Sequence, residues 1–381
     1  MKAKNLAIIT TLNHNIGDDF VREGILYLLE KKFGDIKVFN IHKHIPITVR
    51  KEFEWIYSSG LTRAIDKLPG ISGLYLSKVL DSLPIIRNTD KILNADILVQ
   101  SGAPVYWCHQ ANHCADNEWY KPLIIKRYMK IKRHIPFLDI AAGSCQAYFS
   151  DGYEFVNCDR CASYIREIHN LAQVTTIRDK LAKKILNSLG LDAPVIPCPS
   201  IFASARFGIE PQEPRYVCLN YMRGGGHYDF DQNINISYWE RTFSTFYNLI
   251  KDKYDCVFVC HNQRELQDAK KIDHQAKIFI SRNHKEYLRF YAQAKCGVVN
   301  RVHAAFAIAG FGRPSFVIGS DSRIRMVEEI GLRHAFVSEV DAKKLLAEFE
   351  HLLKEGKKYQ EAILGTKRQA YQDYMAALEK V

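Results

Sequence analysis

The chain has 381 residues, 47% of them apolar and 25% charged, and a formal net charge of +11. That length buries a large core and favours two domains over one, and the composition is that of a soluble globular protein. The positive charge forms no Lys/Arg block and no basic tract interleaved with aromatics. This argues against nucleic acid and leaves anionic small molecules or a negatively charged membrane face as partners.

The opening segment MKAKNLAIITTL turns polar too early for a secretory signal, and no run reaches the roughly eighteen apolar residues of a spanning helix. The expected location is therefore cytoplasmic, at most at the inner face of a membrane. Ten unevenly placed cysteines do not form a disulfide framework and fit buried thiols. Cys158 and Cys161 have CxxC spacing, but no second pair completes a zinc set, so they read as two ordinary thiols.

KNLAIIT reads as a buried parallel strand, followed by the polar stretch NHNIGDD and an amphipathic helix in FVREGILYLLEKKFG. IKVFNI is a second strand, and residues 50 to 90 are mixed helical segments around Pro69, Gly70 and Gly73. ADILVQSGAPVY and IPFLDIAAGSC are strands with polar exits at Ser101–Gly102 and Gly143–Ser144. The basic and aromatic residues Trp119, Tyr120, Lys121, Lys126, Arg127, Tyr128 and Lys130 are either a solvated helix or a contact with an anionic membrane. VTTIRDKLAKKILNSLGL gives a short strand, Arg178 and Asp179 at the join, and a helix that Asp179 is placed to cap.

A proline-containing break around 200 to 214 precedes a second strand–helix series. RYVCLNYMR, YDCVFVCHN, KCGVVN and PSFVIGSD are its strands. The expectation is an α/β protein with two Rossmann-like parallel-sheet domains, 1–205 and 206–345, and a charged helical tail over 346–381. Such domains face each other across a cleft at the strand C-termini, where ligands bind in open α/β sheets.

Several strand exits carry residues that a plain turn does not need. In VVNRVHAAFAIAGFG, Arg301 and His303 precede a small-residue helix; if VVNRVH runs off a strand, both point to one side. A guanidinium, an imidazole and a helix N-terminus together suit an anion. The bland alternative is an Arg in a surface ion pair and a His capping its helix. Arg178 either contacts ligand or pairs with a neighbouring acid. Arg223 and His227, flanking a glycine triplet without dinucleotide spacing, and His261, after FVC, are further candidates. His42, His44, His109 and His113 read as structural or surface residues with no metal-set spacing. The aromatics of GAPVYW either stack on a sugar or pack in the core.

These stretches carry a resemblance. NIGDD resembles the opening asparagine–glycine–aspartate of the polysaccharide pyruvyltransferase family, and TTIRDKLAKKILNSLG its arginine–aspartate segment. NRVHAAFAIAGFGRPSFVIGSDSRIRMVEEIGL resembles its arginine–x–histidine signature, small-residue helix, glycine–x–proline and distal basic segment. The matches run in order from residue 15 to about 332. The resemblance implies a fold like that of GT-B glycosyltransferases. It also implies transfer of the pyruvyl group of phosphoenolpyruvate to two sugar hydroxyls of a cell-envelope or exopolysaccharide glycan or its precursor, giving a ketal and phosphate. It places Arg178, Arg301 and His303 in the donor site and Gly17 and Asp18 in the opening loop. The family's aspartate–proline after the next strand is here Cys198–Pro199–Ser200, and its glycine-rich exit is SGAP.

The chemistry implied casts His303 as proton donor to the donor methylene and Asp18 as base or orienter for the acceptor hydroxyl. Arg178 and Arg301 bind donor carboxylate and phosphate, and Asn15, Gly17, Arg223, His261 and Ser144 complete the substrate contacts. No metal or other cofactor is called for. The acceptor is a sugar or lipid-linked glycan, and oligomerisation is open. Two other classes remain: a nucleotide-sugar glycosyltransferase, with Glu265 as a candidate for holding a donor ribose, and a non-catalytic carbohydrate-binding protein on the same scaffold.

Overall fold

The computed structural model describes residues 3–12, 15–43, 92, 94–102, 104–108, 120–125, 128–130 and 134–381. The helical segments expected within 50 to 90, and His44, His109, His113, Trp119, Lys126 and Arg127, lie outside the described residues.

The first sheet is built from β1 (Lys4–Thr10), β2 (Ile36–His42), β3 (Ile97–Ser101), β4 (Pro104–Tyr106), β5 (Phe137–Ser144) and β6 (Val174–Ile177). All the pairings are parallel, in the order β2-β1-β3-β5, with β4 and β6 both on β5. These strands are apolar runs because a parallel sheet is covered on both faces. Around it run α1 (Ile16–Phe33), α2 (Asp159–Leu171) and α3 (Lys180–Ser188). Tyr120–Ile125 and Tyr128–Lys130 form two short helical turns. Tyr120 is buried with its hydroxyl on Glu167, and the Tyr128 hydroxyl donates to the Ile135 carbonyl, so both tyrosines point inward.

The second sheet holds β7 (Tyr216–Asn220), β8 (Cys256–Val259), β9 (Ile278–Phe279), β10 (Ala294–Val299), β11 (Ser315–Gly319) and β12 (Arg333–Phe336). Its order, β12-β11-β10-β7-β8-β9, is the doubly wound arrangement with the reversal between β7 and β10. The helices α4 (Ile236–Ile250), α5 (Gln263–Ile272), α6 (His284–Tyr291) and α7 (Val302–Ala309) connect these strands, and α8 (Ala342–Lys354) and α9 (Gly356–Leu378) close the chain. Asn or Asp side chains cap most of them: Asn15, Asp179, Asn235, Asn262, Asn283 and Asp341 each accept a backbone N–H of the first turn.

Two helices join the halves. Phe20 of α1 is fully buried among His261, Tyr287 and Tyr291 of the second sheet's layer. The charged tail folds back: Tyr371 of α9 lies against Tyr27 and Phe202, and the Tyr374 hydroxyl donates to the Pro197 carbonyl at 3.0 Å. Among the described residues, no helix is long and apolar enough to cross a membrane.

Candidate active site

The site sits where the order of the second sheet reverses. Asn220 ends β7 and Asn300 follows β10, and their amides tie neighbouring strand ends together. Asn220 accepts from the Arg301 N–H (2.9 Å) and donates to the Val259 carbonyl (3.0 Å) and to Glu265 (2.9 Å). Asn300 donates to the Ile318 carbonyl and accepts from the Met222 N–H. This lattice fixes Arg301 at the N-cap of α7, buried, with Nε donating to Glu265 Oε1 at 2.8 Å, Nη2 on the same oxygen and Nη1 against His227 Nε2. Burial alone would raise the Glu265 carboxyl, but the Arg301 guanidinium and the His261 N–H hold it below the usual range. Arg323 forms a two-pronged pair with Asp321 (2.8 and 2.7 Å) and lies over the Tyr228 ring.

His303, the second residue of α7, faces the first domain. A side chain on Gly17 would bring a Cβ to 2.8 Å from His303 Nδ1, so the glycine in the first turn of α1 is what lets the helix and the imidazole meet. On the other side of the ring, Nε2 lies 3.4 Å from Arg178 Nη1. Arginine only donates, so Nε2 accepts and the ring proton sits on Nδ1. Burial first, then Arg178 and the other cations, hold His303 well below its ordinary value, and it is neutral. Burial, then Arg301 and Arg323, push His227 down to about 2, and burial takes His261 to about 4.

Arg178 is 1% exposed. Its Nη1 donates to the Gly102 carbonyl at 2.8 Å, Cys198 Sγ is 4.0 Å away, and its Nε has no hydrogen-bond partner. The close approach of β5 depends on Gly143, whose Cβ would stand 2.4 Å from that Nε. Among the described residues no carboxylate pairs with Arg178. The obvious one, Asp179, caps α3 through the Ala182 N–H and takes both the N–H and the hydroxyl of Ser144. The place where the family resemblance leads one to expect an aspartate is Cys198, directly beside the guanidinium.

Asn15, Gly17, His261, Arg301 and His303 line one interdomain cavity, and Arg178 reaches it through His303. Ser144 is buried and held by Asp179, away from this cavity. Arg223 is half-exposed, 3.6 Å from Glu240, on an adjoining groove. Asp18 is half-buried in the first turn of α1, since the helix starts inside NIGDD, and does not line the cavity.

Other expectations change in detail. Arg301 and His303 share a side through the cap and first turn of a helix, because β10 stops at Val299. The Arg301 ion pair is buried rather than on the surface, and His303 is not a cap. Glu265 is spent on Arg301, Asn220 and His261 and is not free to hold a ribose. Trp107 packs 5.3 Å from Tyr228 across the domains, while Tyr106 is core. His227, a candidate from the glycine-triplet loop, lines the cavity too, and so do Asn300, Asp321 and Arg323, which were not singled out as contacts. The strand-exit position of GSDSR was the available signal for the last two.

A search of curated proteins finds no match. Among solved structures, the fold is similar to that of UDP-GlcNAc 2-epimerase from Neisseria meningitidis bound to UDP-GlcNAc (TM-score 0.52, 10% identity, 99% of each chain covered). It is also similar to that of the MnaA–UDP complex from S. aureus (TM-score 0.51, 13% identity, 94% of this chain and 90% of that one). The two-sheet architecture is thus GT-B-like. The sequence model of the family described as polysaccharide pyruvyl transferase matches residues 15–322, the span that holds every cavity-lining residue named above up to Asp321, and the chain belongs to that family.

Proposed function

We propose that this protein transfers the pyruvyl group of phosphoenolpyruvate to a pair of sugar hydroxyls. The observation that carries the reading is Arg178: a fully buried guanidinium with no carboxylate partner among the described residues, touching a neutral imidazole at the interdomain cavity. Burying an unpaired charge is costly, and an anionic ligand offsets the cost by supplying the missing partner. Family membership supports phosphoenolpyruvate as that anion.

In the proposed reaction the donor anion pairs with Arg178 and draws a proton onto His303. His303 delivers a proton to the methylene, which becomes the methyl group, and C2 becomes electrophilic. One sugar oxygen bonds to C2 and a second displaces phosphate by breaking the C2–O bond. Two hydroxyl protons are released: one balances the proton given to the methyl and the other leaves with phosphate. Arg301 and Arg323, against Glu265 and Asp321, fix the far wall, and Asp18, outside the cavity lining but next to Gly17, orients an acceptor that approaches over the first turn of α1. Asn15, Gly17 and His261 shape the donor side. The acceptor is a sugar of an envelope or extracellular glycan or its lipid-linked precursor.

A nucleotide-sugar donor is the second reading, and the solved structures favour it, since the two similar folds are complexes with UDP-GlcNAc and UDP. The engaged state of Glu265 counts against it. Calorimetric titration with phosphoenolpyruvate and a panel of UDP-, GDP- and ADP-sugars separates the two. Binding of phosphoenolpyruvate alone is expected; binding of a nucleotide sugar without phosphoenolpyruvate overturns the reading.

A further inference from the structure

We infer that Cys108, Cys158 and Cys161 form a structural zinc site in the first domain, between the end of β4 and the start of α2. Their sulfur atoms lie within 4.8 Å of one another, and among the described residues they are the only group of three or more potential metal ligands so gathered. Fifty residues separate Cys108 from the CxxC pair in sequence. Cys108 follows β4, Cys158 is the N-cap residue of α2, and Cys161 lies in the first turn of that helix. Cys108 and Cys161 are buried and Cys158 half-buried.

The sulfur spacing and the placement of Cys158 favour zinc over three ordinary thiols. Tetrahedral thiolates at Zn–S of about 2.3 Å stand roughly 3.8 Å apart, so only a small contraction is needed. A disulfide, with sulfurs about 2.05 Å apart, uses two of the three and leaves the third packed against it. The N-cap of α2 is a cysteine where six other helices use Asn or Asp. Soft sulfur donors select zinc over magnesium or calcium, and binding releases the thiol protons to solvent.

The location gives the metal something to hold. The backbone N–H of Cys108 donates to the Gln146 side chain at 3.1 Å, and Gln146 exchanges two 2.9 Å hydrogen bonds with Ser322, next to Arg323 of the cavity. Trp107, beside Cys108, packs on Tyr228 of the other domain. Zinc here pins β4 to α2 and so steadies the first-domain wall of the cleft.

Elemental analysis of untagged, full-length protein from zinc-supplemented culture tests this, with X-ray absorption to count sulfur ligands. About one zinc per chain with at least three sulfurs is expected. The double variant Cys158→Ser/Cys161→Ser should lose it, while Cys256→Ser, on the second sheet, should keep it. Chelation should make three further thiols reactive to maleimide with the far-ultraviolet dichroism retained. If the double variant fails to fold, the wild-type sulfur count decides. Metal-free wild-type protein, a Cys158–Cys161 disulfide in the unreduced protein, fewer than three sulfurs on the metal, or zinc retained by the folded double variant overturns the site.

Discussion

Arg178→Ala should weaken phosphoenolpyruvate binding by at least about 30-fold, because a charge-paired guanidinium in a closed cleft contributes roughly 2–4 kcal/mol. It should do so with little loss of melting temperature, since the variant removes a buried charge that lacks a partner. Arg301→Ala should behave in the opposite way. It strands Glu265, 3% exposed, as an unpaired buried carboxylate, a loss of roughly 3–5 kcal/mol. Comparing donor affinity and melting temperature across the two variants checks both statements. Equal destabilisation would mean that Arg178 merely holds the fold. His303→Gln should leave donor affinity within a few-fold while turnover drops by about 10²–10⁴; an active variant would remove His303 from the chemistry. The pH dependence arises from the same group. His303, His227 and His261 all titrate below their unfolded value near 6.5, so the unfolded chain binds more protons and stability falls as pH drops below that value. His303→Gln should flatten that acid limb. A bound trianion should raise the proton affinity of His303, so calorimetry in buffers of different ionisation enthalpy should show proton uptake on donor binding.

At the scale of elements, β5 holds a second buried charge problem. Asp139 is fully buried beside Gln100 of β3, neither carboxylate oxygen has a hydrogen-bond partner, and burial pushes its carboxyl up to about 8. The folded state therefore holds a proton that the unfolded chain gives up, and this destabilises the fold increasingly as pH rises from about 4 to 8. Asp139→Asn should raise the melting temperature more at pH 9 than at pH 5; a pH-independent change would contradict it. The strands and helices were largely legible because apolar runs and Asn or Asp caps are local signals, as in KNLAIIT and in Asp179 before α3. The site was legible segment by segment, as in Arg301–Val302–His303, Asn15 with Gly17, and His261, whereas the pairings between segments were not. The Arg301–Glu265 pair, the contact of Gly17 with His303 and the meeting of Cys108 with Cys158 join distant loops, and no local pattern announces them. The left-handed Ala141, at the register irregularity between β5 and β6, was equally silent.

For the whole molecule, we propose that the division at about residues 205 and 345 marks two folding layers rather than two separable bodies. Phe20 of α1 is buried in the second layer, α9 returns to the first, and Arg325 donates to the Tyr148 and Ser150 carbonyls across the cleft. A chain nicked between 206 and 214 should therefore stay associated in gel filtration; separation of the fragments would contradict this. Arg178 and His303 also touch across the two halves, 3.4 Å apart. The measurement that tests the account most directly is transfer itself. Phosphoenolpyruvate labelled with carbon-13 in all three carbons is incubated with the protein and a crude lipid-linked glycan extract, followed by mass spectrometry and phosphate assay. The account predicts label in the glycan as a ketal, equimolar phosphate release, and loss of both in His303→Gln. Unlabelled glycan, with consumption of a nucleotide sugar in the same extract, would contradict it.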